Sequence, residues 1–110
     1  MIQVTIYKNA TGEFSGFKTC GHAGQSDQGQ DIVCAAVSML TINTINAIEA
    51  YTSDQALCQS NEREGIIEFQ FQKKPSKEAT LLLNAMILGL QSIEDDENDK
   101  NFIDLIFKEV

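Results

Sequence analysis

The chain has 110 residues, 43% of them hydrophobic and 22% charged, the size and balance of one compact domain (residues 1–110) that can bury a core without disulfides or a metal. Its 8 basic residues are outnumbered by 16 acidic ones, a formal charge of -8. That excess repels a phosphate backbone, which excludes nucleic acid as a partner and favours a basic protein.

Ile2, Val4 and Ile6 alternate with Gln3, Thr5 and Tyr7, the period of a half-buried strand. No charged leader with a long apolar run precedes them, so we expect a cytoplasmic protein that is not exported. Asn9 to Gly12 carries turn chemistry, and Phe14 to Cys20 is a second extended run, so the chain is expected to open with a hairpin. Gly21 to Asp31 is polar and glycine-rich, with Gly21, Gly24 and Gly29, and reads as a mobile loop.

Asp31 stands where a helix N-cap belongs. Val33, Ala36, Val37, Leu40, Thr44, Ala47, Ile48 and Tyr51 follow at helical spacing, predicting a long first helix. Ala56–Ser60 and Ile66–Phe71 flank Asn61–Gly65 as a second hairpin, with Ile67, Phe69 and Phe71 expected to be buried. Pro75 and Ser76 begin a second helix whose Leu82, Leu83, Met86, Ile87 and Leu90 are spaced for burial.

The longest apolar stretch, Leu81 to Leu90, is broken by Asn84 and Gly89 and is too short to span a bilayer, so no membrane contact is expected. Glu94, Asp95, Asp96, Glu97 and Asp99 form an acidic turn, either simply solvated or a steering surface for a cationic substrate. Phe102 to Phe107 closes the chain as a strand. The expected fold class is α+β: a mainly antiparallel β-sheet with two packed α-helices, in the order ββαββαβ.

Three cysteines, Cys20, Cys34 and Cys58, are too few and of the wrong parity for a disulfide framework. Cys20 and Cys58 fall in predicted strands and read as small buried residues. Cys34 falls at the predicted start of the first helix, where unpaired N–H groups and the macrodipole favour a thiolate. The single histidine, His22, lies in the glycine-rich loop, where no apolar pattern asks for a packed imidazole. Folded over the helix start, it could take the Cys34 proton and so activate the nucleophile for acyl transfer. The oxyanion would then be held by the Cys34 amide and a neighbour from the helix start or the loop. On residue types and spacing alone, an inert buried cysteine and a solvated histidine are the better-supported reading, since a lone Cys and a lone His with eleven residues between them are common by chance.

The run Gly21-His22-Ala23, followed by Asp31-Ile32-Val33-Cys34-Ala35-Ala36-Val37-Ser38, resembles the signature of the ribosomal-processing cysteine proteases, and length and element order agree. The resemblance implies a homodimeric peptidase without a cofactor. Its expected activity is removal of an N-terminal extension from large-subunit ribosomal protein twenty-seven after a pair of phenylalanines. Cys34 and His22 match the catalytic positions, and Gly21, Gly24 and Gly29 match a loop that moves to admit substrate. Asp31 either caps the helix or orients His22. Ser38, one turn beyond Cys34, either donates a hydrogen bond beside the thiolate or simply suits close packing.

Competing readings are a zinc site built on Cys20, His22 and Cys34 with Asp31, which lacks any Cys-x-x-Cys pair, and an acidic module that binds a ribosomal protein without cutting it. A redox-sensing Cys34 has no resolving cysteine placed near it by the sequence.

Overall fold

The computed structural model describes residues 1–21 and 28–110, the side chains of residues 28–30 excepted. Strands β1 (Ile2–Lys8) and β2 (Phe14–Cys20) form the opening hairpin, α1 runs over Gln28–Tyr51, and β3 (Ala56–Asn61) and β4 (Ile66–Phe71) form the second hairpin. Helix α2 (Lys77–Asp95), a short 3-10 turn at Lys100–Phe102 and β5 (Ile103–Glu109) complete the chain. The five strands make one sheet in the order β3-β4-β2-β1-β5. All neighbours are antiparallel except β1 and β5, which are parallel. The architecture is the expected α+β class.

Register explains the core. Leu105, Val4, Thr19, Ile67 and Ser60 lie side by side across the sheet, and because side chains alternate, this row faces the helices while its neighbours face away. The next row on the helix side brings Phe17 against Phe69, ring centroids 5.3 Å apart, and Phe69 meets Phe71 edge-on at 5.0 Å. The opposite face carries Lys18 across from Glu68. The hydrophobic core is thus the single layer between sheet and helices, completed by Val33, Val37 and Ile48 of α1 and Ala79, Leu83, Met86, Ile87 and Leu90 of α2.

Helix α2 starts as predicted: the Ser76 hydroxyl accepts from the Ala79 amide at 3.1 Å, satisfying one of the helix's free N–H groups. Helix α1 starts earlier than predicted. It begins at Gln28, so Gly29 belongs to the helix and not to the loop, and Asp31 is an exposed first-turn acid and not the N-cap. The polar Gln-rich run misleads because glutamine is a good helix former without being apolar.

Two residues on α1 also reverse their expected places. Tyr51 is 81% exposed, while Thr41, absent from the apolar stripe, is completely buried. Its hydroxyl donates to the Val37 carbonyl at 2.8 Å, so a polar residue is satisfied inside the core by its own helix.

By length and composition alone, Asp31–Tyr51 is long and apolar enough to cross a membrane, which corrects the expectation that Leu81–Leu90 was the longest such stretch. Packing accounts for part of that composition: the stripe Val33, Val37, Thr41, Thr44 and Ile48 is buried, while Ile32, Met39 and Ile42 of the same helix are exposed. Glu94 is also more than part of a solvated turn, since its carboxylate accepts from the Leu105 amide at 3.1 Å.

Candidate active site

Helix α1 crosses the end of the sheet where β2 stops and the β3–β4 hairpin turns. Between them lies a cleft of about 360 Å³ that includes Cys34, Ser38, Thr41 and Ile42 on the helix and Ser60 and Ile67 on the strands. Cys34 and Ser38 are one helical turn apart on the same face, and both are half-buried. Cys34 is therefore held by a regular helix and still opens to a space that a peptide can enter. The exposed wall is mainly apolar, with Ile2, Val37, Ile42, Ile66 and Ile67 set among threonine, serine and asparagine side chains, and Glu62 on the hairpin is the charged residue among the described lining residues.

The depth of Cys34 in the helix changes one part of the expected chemistry. It is the seventh residue of a helix that begins at Gln28, beyond the first turn where the free N–H groups and the macrodipole act. Its own amide falls inside the helical ladder and is not available to an oxyanion. Neither the dipole argument for a thiolate nor the Cys34 amide as oxyanion donor carries over to this structure.

Gly21 borders the cleft in a backbone conformation with φ +138°, which side chains rarely adopt, and a Cβ there would sit 2.9 Å from the Met1 carbonyl oxygen. His22 and Gly24 lie outside the described residues. Of the sequence-predicted site residues, the structure gathers Cys20, Gly21, Cys34 and Ser38 at the cleft and leaves Asp31 exposed on the first turn of α1.

The other cysteines separate. Cys20 borders the same cleft as Cys34, but its register with Gln3 and Ile66 puts its side chain on the sheet face away from α1, and among the described residues no cluster is grouped to hold a metal. Cys58 is exposed, against the expectation of burial. Its register with Phe69 turns the thiol toward the helix layer. There partial desolvation, and after it the Glu49 carboxylate, push the thiol's pKa up. Sequence reasoning missed Thr41 and Glu62. A buried threonine has no periodic signal, and a hairpin glutamate is indistinguishable from any solvated one until the hairpin is seen to border the cleft.

The family described as cysteine protease Prp matches residues 1–102. The chain is 33% identical over 103 residues to the ribosomal processing cysteine protease Prp of Bacillus subtilis, covering 90% of this chain and 92% of that one. To a Staphylococcus aureus protein of the same name it is 32% identical over 99 residues, covering 90% and 93%.

Among solved structures, an essential ribosomal processing protease Prp from S. aureus in complex with a substrate peptide superposes with a TM-score of 0.89 at 31% identity, covering 98% of this chain and 100% of that one. The same S. aureus protease with a covalently linked product peptide gives 0.85 at 32% identity, with the same coverage. The chain belongs to the Prp family of cysteine proteases.

Proposed function

We propose that this peptidase removes the N-terminal extension of large-subunit ribosomal protein twenty-seven, cutting after Phe-Phe, with Cys34 as nucleophile and His22 as its base. The observation that carries the reading is the opening of Cys34, in the family's motif, into a cleft whose exposed wall is mainly apolar. Such a wall suits aromatic side chains next to the scissile bond.

In this reading His22 takes the Cys34 proton and the thiolate attacks the carbonyl carbon. As the tetrahedral intermediate collapses, the C–N bond breaks and His22 returns the proton to the departing amine. Water, deprotonated by the same imidazole, then hydrolyses the thioester and frees the acid and Cys34. Ser38, one turn away, is a positioning residue for the thiol. The acidic surface suits a basic ribosomal protein and no nucleic acid, and the cytoplasm is where such a substrate is made.

A homodimer is part of the proposal. It is supported by the apolar side chains that the helix layer turns outward: Ile32 at 59%, Met39 at 69%, Leu81 at 69% and Leu88 at 66% exposure.

The test is incubation of wild type and Cys34→Ala with a peptide containing Phe-Phe-Ala flanked by basic residues, and with the full-length precursor, read by mass spectrometry. Cleavage after the second Phe by wild type alone supports the reading. Binding of the precursor by both proteins without cleavage by either would replace it with a non-enzymatic ribosomal-protein binder.

A further inference from the structure

Along the seam between α1 and β3, beyond the Cys34 cleft, lies a second hollow of about 420 Å³ bordered by Ile45, Glu49, Ala56 and Cys58. Cys34, Ser38, Thr41, Ile42, Ile45 and Glu49 share one face of the helix at spacings of three and four. The two hollows therefore follow one line. From Cys34 to Glu49 that line is about 22 Å long, the reach of roughly six or seven extended residues.

Strand β3 ends the sheet, and among the described residues its outer edge pairs with nothing. The Gln72 amide donates to the Gln55 carbonyl at 3.0 Å, which makes this a hydrogen-bonded pair of the antiparallel ladder. Counting on from it, Leu57, Gln59 and Asn61 bond to β4, and the N–H and C=O groups of Ala56, Cys58 and Ser60 point outward.

Edge strands that must stay unpaired carry charges, proline or a covering side chain. The opposite edge does: β5 contains Asp104, Lys108 and Glu109, and Glu94 occupies the Leu105 amide. Strand β3, Ala-Leu-Cys-Gln-Ser-Asn, has no charge and no proline.

We propose that the free edge of β3 receives the substrate as an added strand. The segment N-terminal to the scissile bond pairs with Ala56, Cys58 and Ser60 and turns alternate side chains onto Ile42 and Ile45. This rests on the peptidase reading of the Cys34 cleft, because continuity with that cleft selects the occupant: Ser60 belongs to both the edge and the cleft wall. The part of the seam nearest the cleft, at Ile42 and Ile45, also suits the apolar residues expected just before the cut.

The test uses the wild-type chain and a Phe-Phe-Ala peptide with about six residues before the cut, backbone N-methylated at one position at a time. Methylation at every second position should lower kcat/KM by about tenfold, the loss expected of roughly one interfacial hydrogen bond, and methylation between them by less than about threefold. Equal tolerance at all positions would overturn the proposal.

On the protein side, Cys58→Pro removes an N–H that points away from the sheet, a change an edge strand accommodates. Relative to wild type, it should lower kcat/KM on the long peptide about tenfold more than on a peptide truncated to the Phe-Phe pair. If Cys58→Pro dissociates a wild-type dimer and changes neither rate, the edge serves a second copy and the proposal is wrong. Failure of wild type to cleave the unmethylated peptide or the precursor would instead remove the peptidase reading beneath it.

Discussion

The Gly21 amide donates to the Gly65 carbonyl at 3.1 Å, joining the end of β2 to the hairpin between β3 and β4. This single bond closes one wall of the Cys34 cleft and fixes the point from which the chain leaves toward His22. Gly21 can make it because it adopts φ +138° with Ile2 Cα only 3.0 Å from where a Cβ would stand.

Gly21→Ala therefore meets both a strained backbone and a contact with backbone that cannot yield. The expected cost is about 1–3 kcal/mol of stability, read by chemical denaturation. Because the strain is relieved by moving the residue next to His22, kcat/KM should fall by more than the stability loss accounts for at a temperature where the variant is fully folded. A variant that is destabilised and equally active would show that Gly21 serves the fold alone.

Thr41 presents the opposite case, a polar atom in the core whose loss should matter little. Its hydroxyl donates to the Val37 carbonyl, which as a mid-helix group also accepts from its own helix, so Thr41→Val leaves no buried group without a partner. Thermal melts should agree with wild type within about 1 kcal/mol. A larger loss would mean that the hydroxyl has a further role in the cleft it borders.

How much of this was legible in the sequence depended on which residues carried a periodic signal. The four strands from β1 to β4 and the Ser76 cap were readable because alternation and capping are local. The start of α1 was not, since Gln28 and Gln30 are helix formers without apolar periodicity. Three turns of consequence followed from that: Gly29 became helical, Asp31 lost its capping role, and Cys34 moved away from the free N–H groups. The pairing of Cys34 with Ser38 on one face survived the shift, because i to i+4 spacing does not depend on where the helix begins. The cleft itself was illegible, as its other wall comes from a hairpin more than twenty residues away in sequence.

Asp54 ties the loop after α1 to the start of α2. Its carboxylate accepts from the Ser76 amide at 2.8 Å and from the Ser76 hydroxyl. Burial pushes its pKa up, but the hydrogen bonds from the Ser76 hydroxyl and amide outweigh it and hold the group below its ordinary 3.8. A carboxylate depressed in the folded state contributes stability that is present above its unfolded pKa and lost as pH falls through the folded value. Asp54→Asn should therefore lower stability by about 1 kcal/mol at pH 7, and the gap to wild type should narrow as pH drops below about 4. A gap independent of pH would assign the effect to packing and not to charge.

Leucines 81 and 83 differ in everything except chemistry: Leu83 is 1% exposed in the core and Leu81 is 69% exposed on the outer face of α2. Leu83→Ala removes packed methyl groups and leaves a cavity, so it should cost about 2–5 kcal/mol by denaturation. Leu81→Ala creates no cavity in the single chain, and its cost there should stay within about 0.5 kcal/mol. If two copies meet through the outward apolar side chains, Leu81→Ala together with Leu88→Ala should weaken association in sedimentation experiments and make the melting temperature fall on dilution more steeply than for wild type. Unchanged sedimentation would mean that this face is not where the copies meet, and the core result from Leu83 would stand unaffected, because burial within one chain owes nothing to the partner.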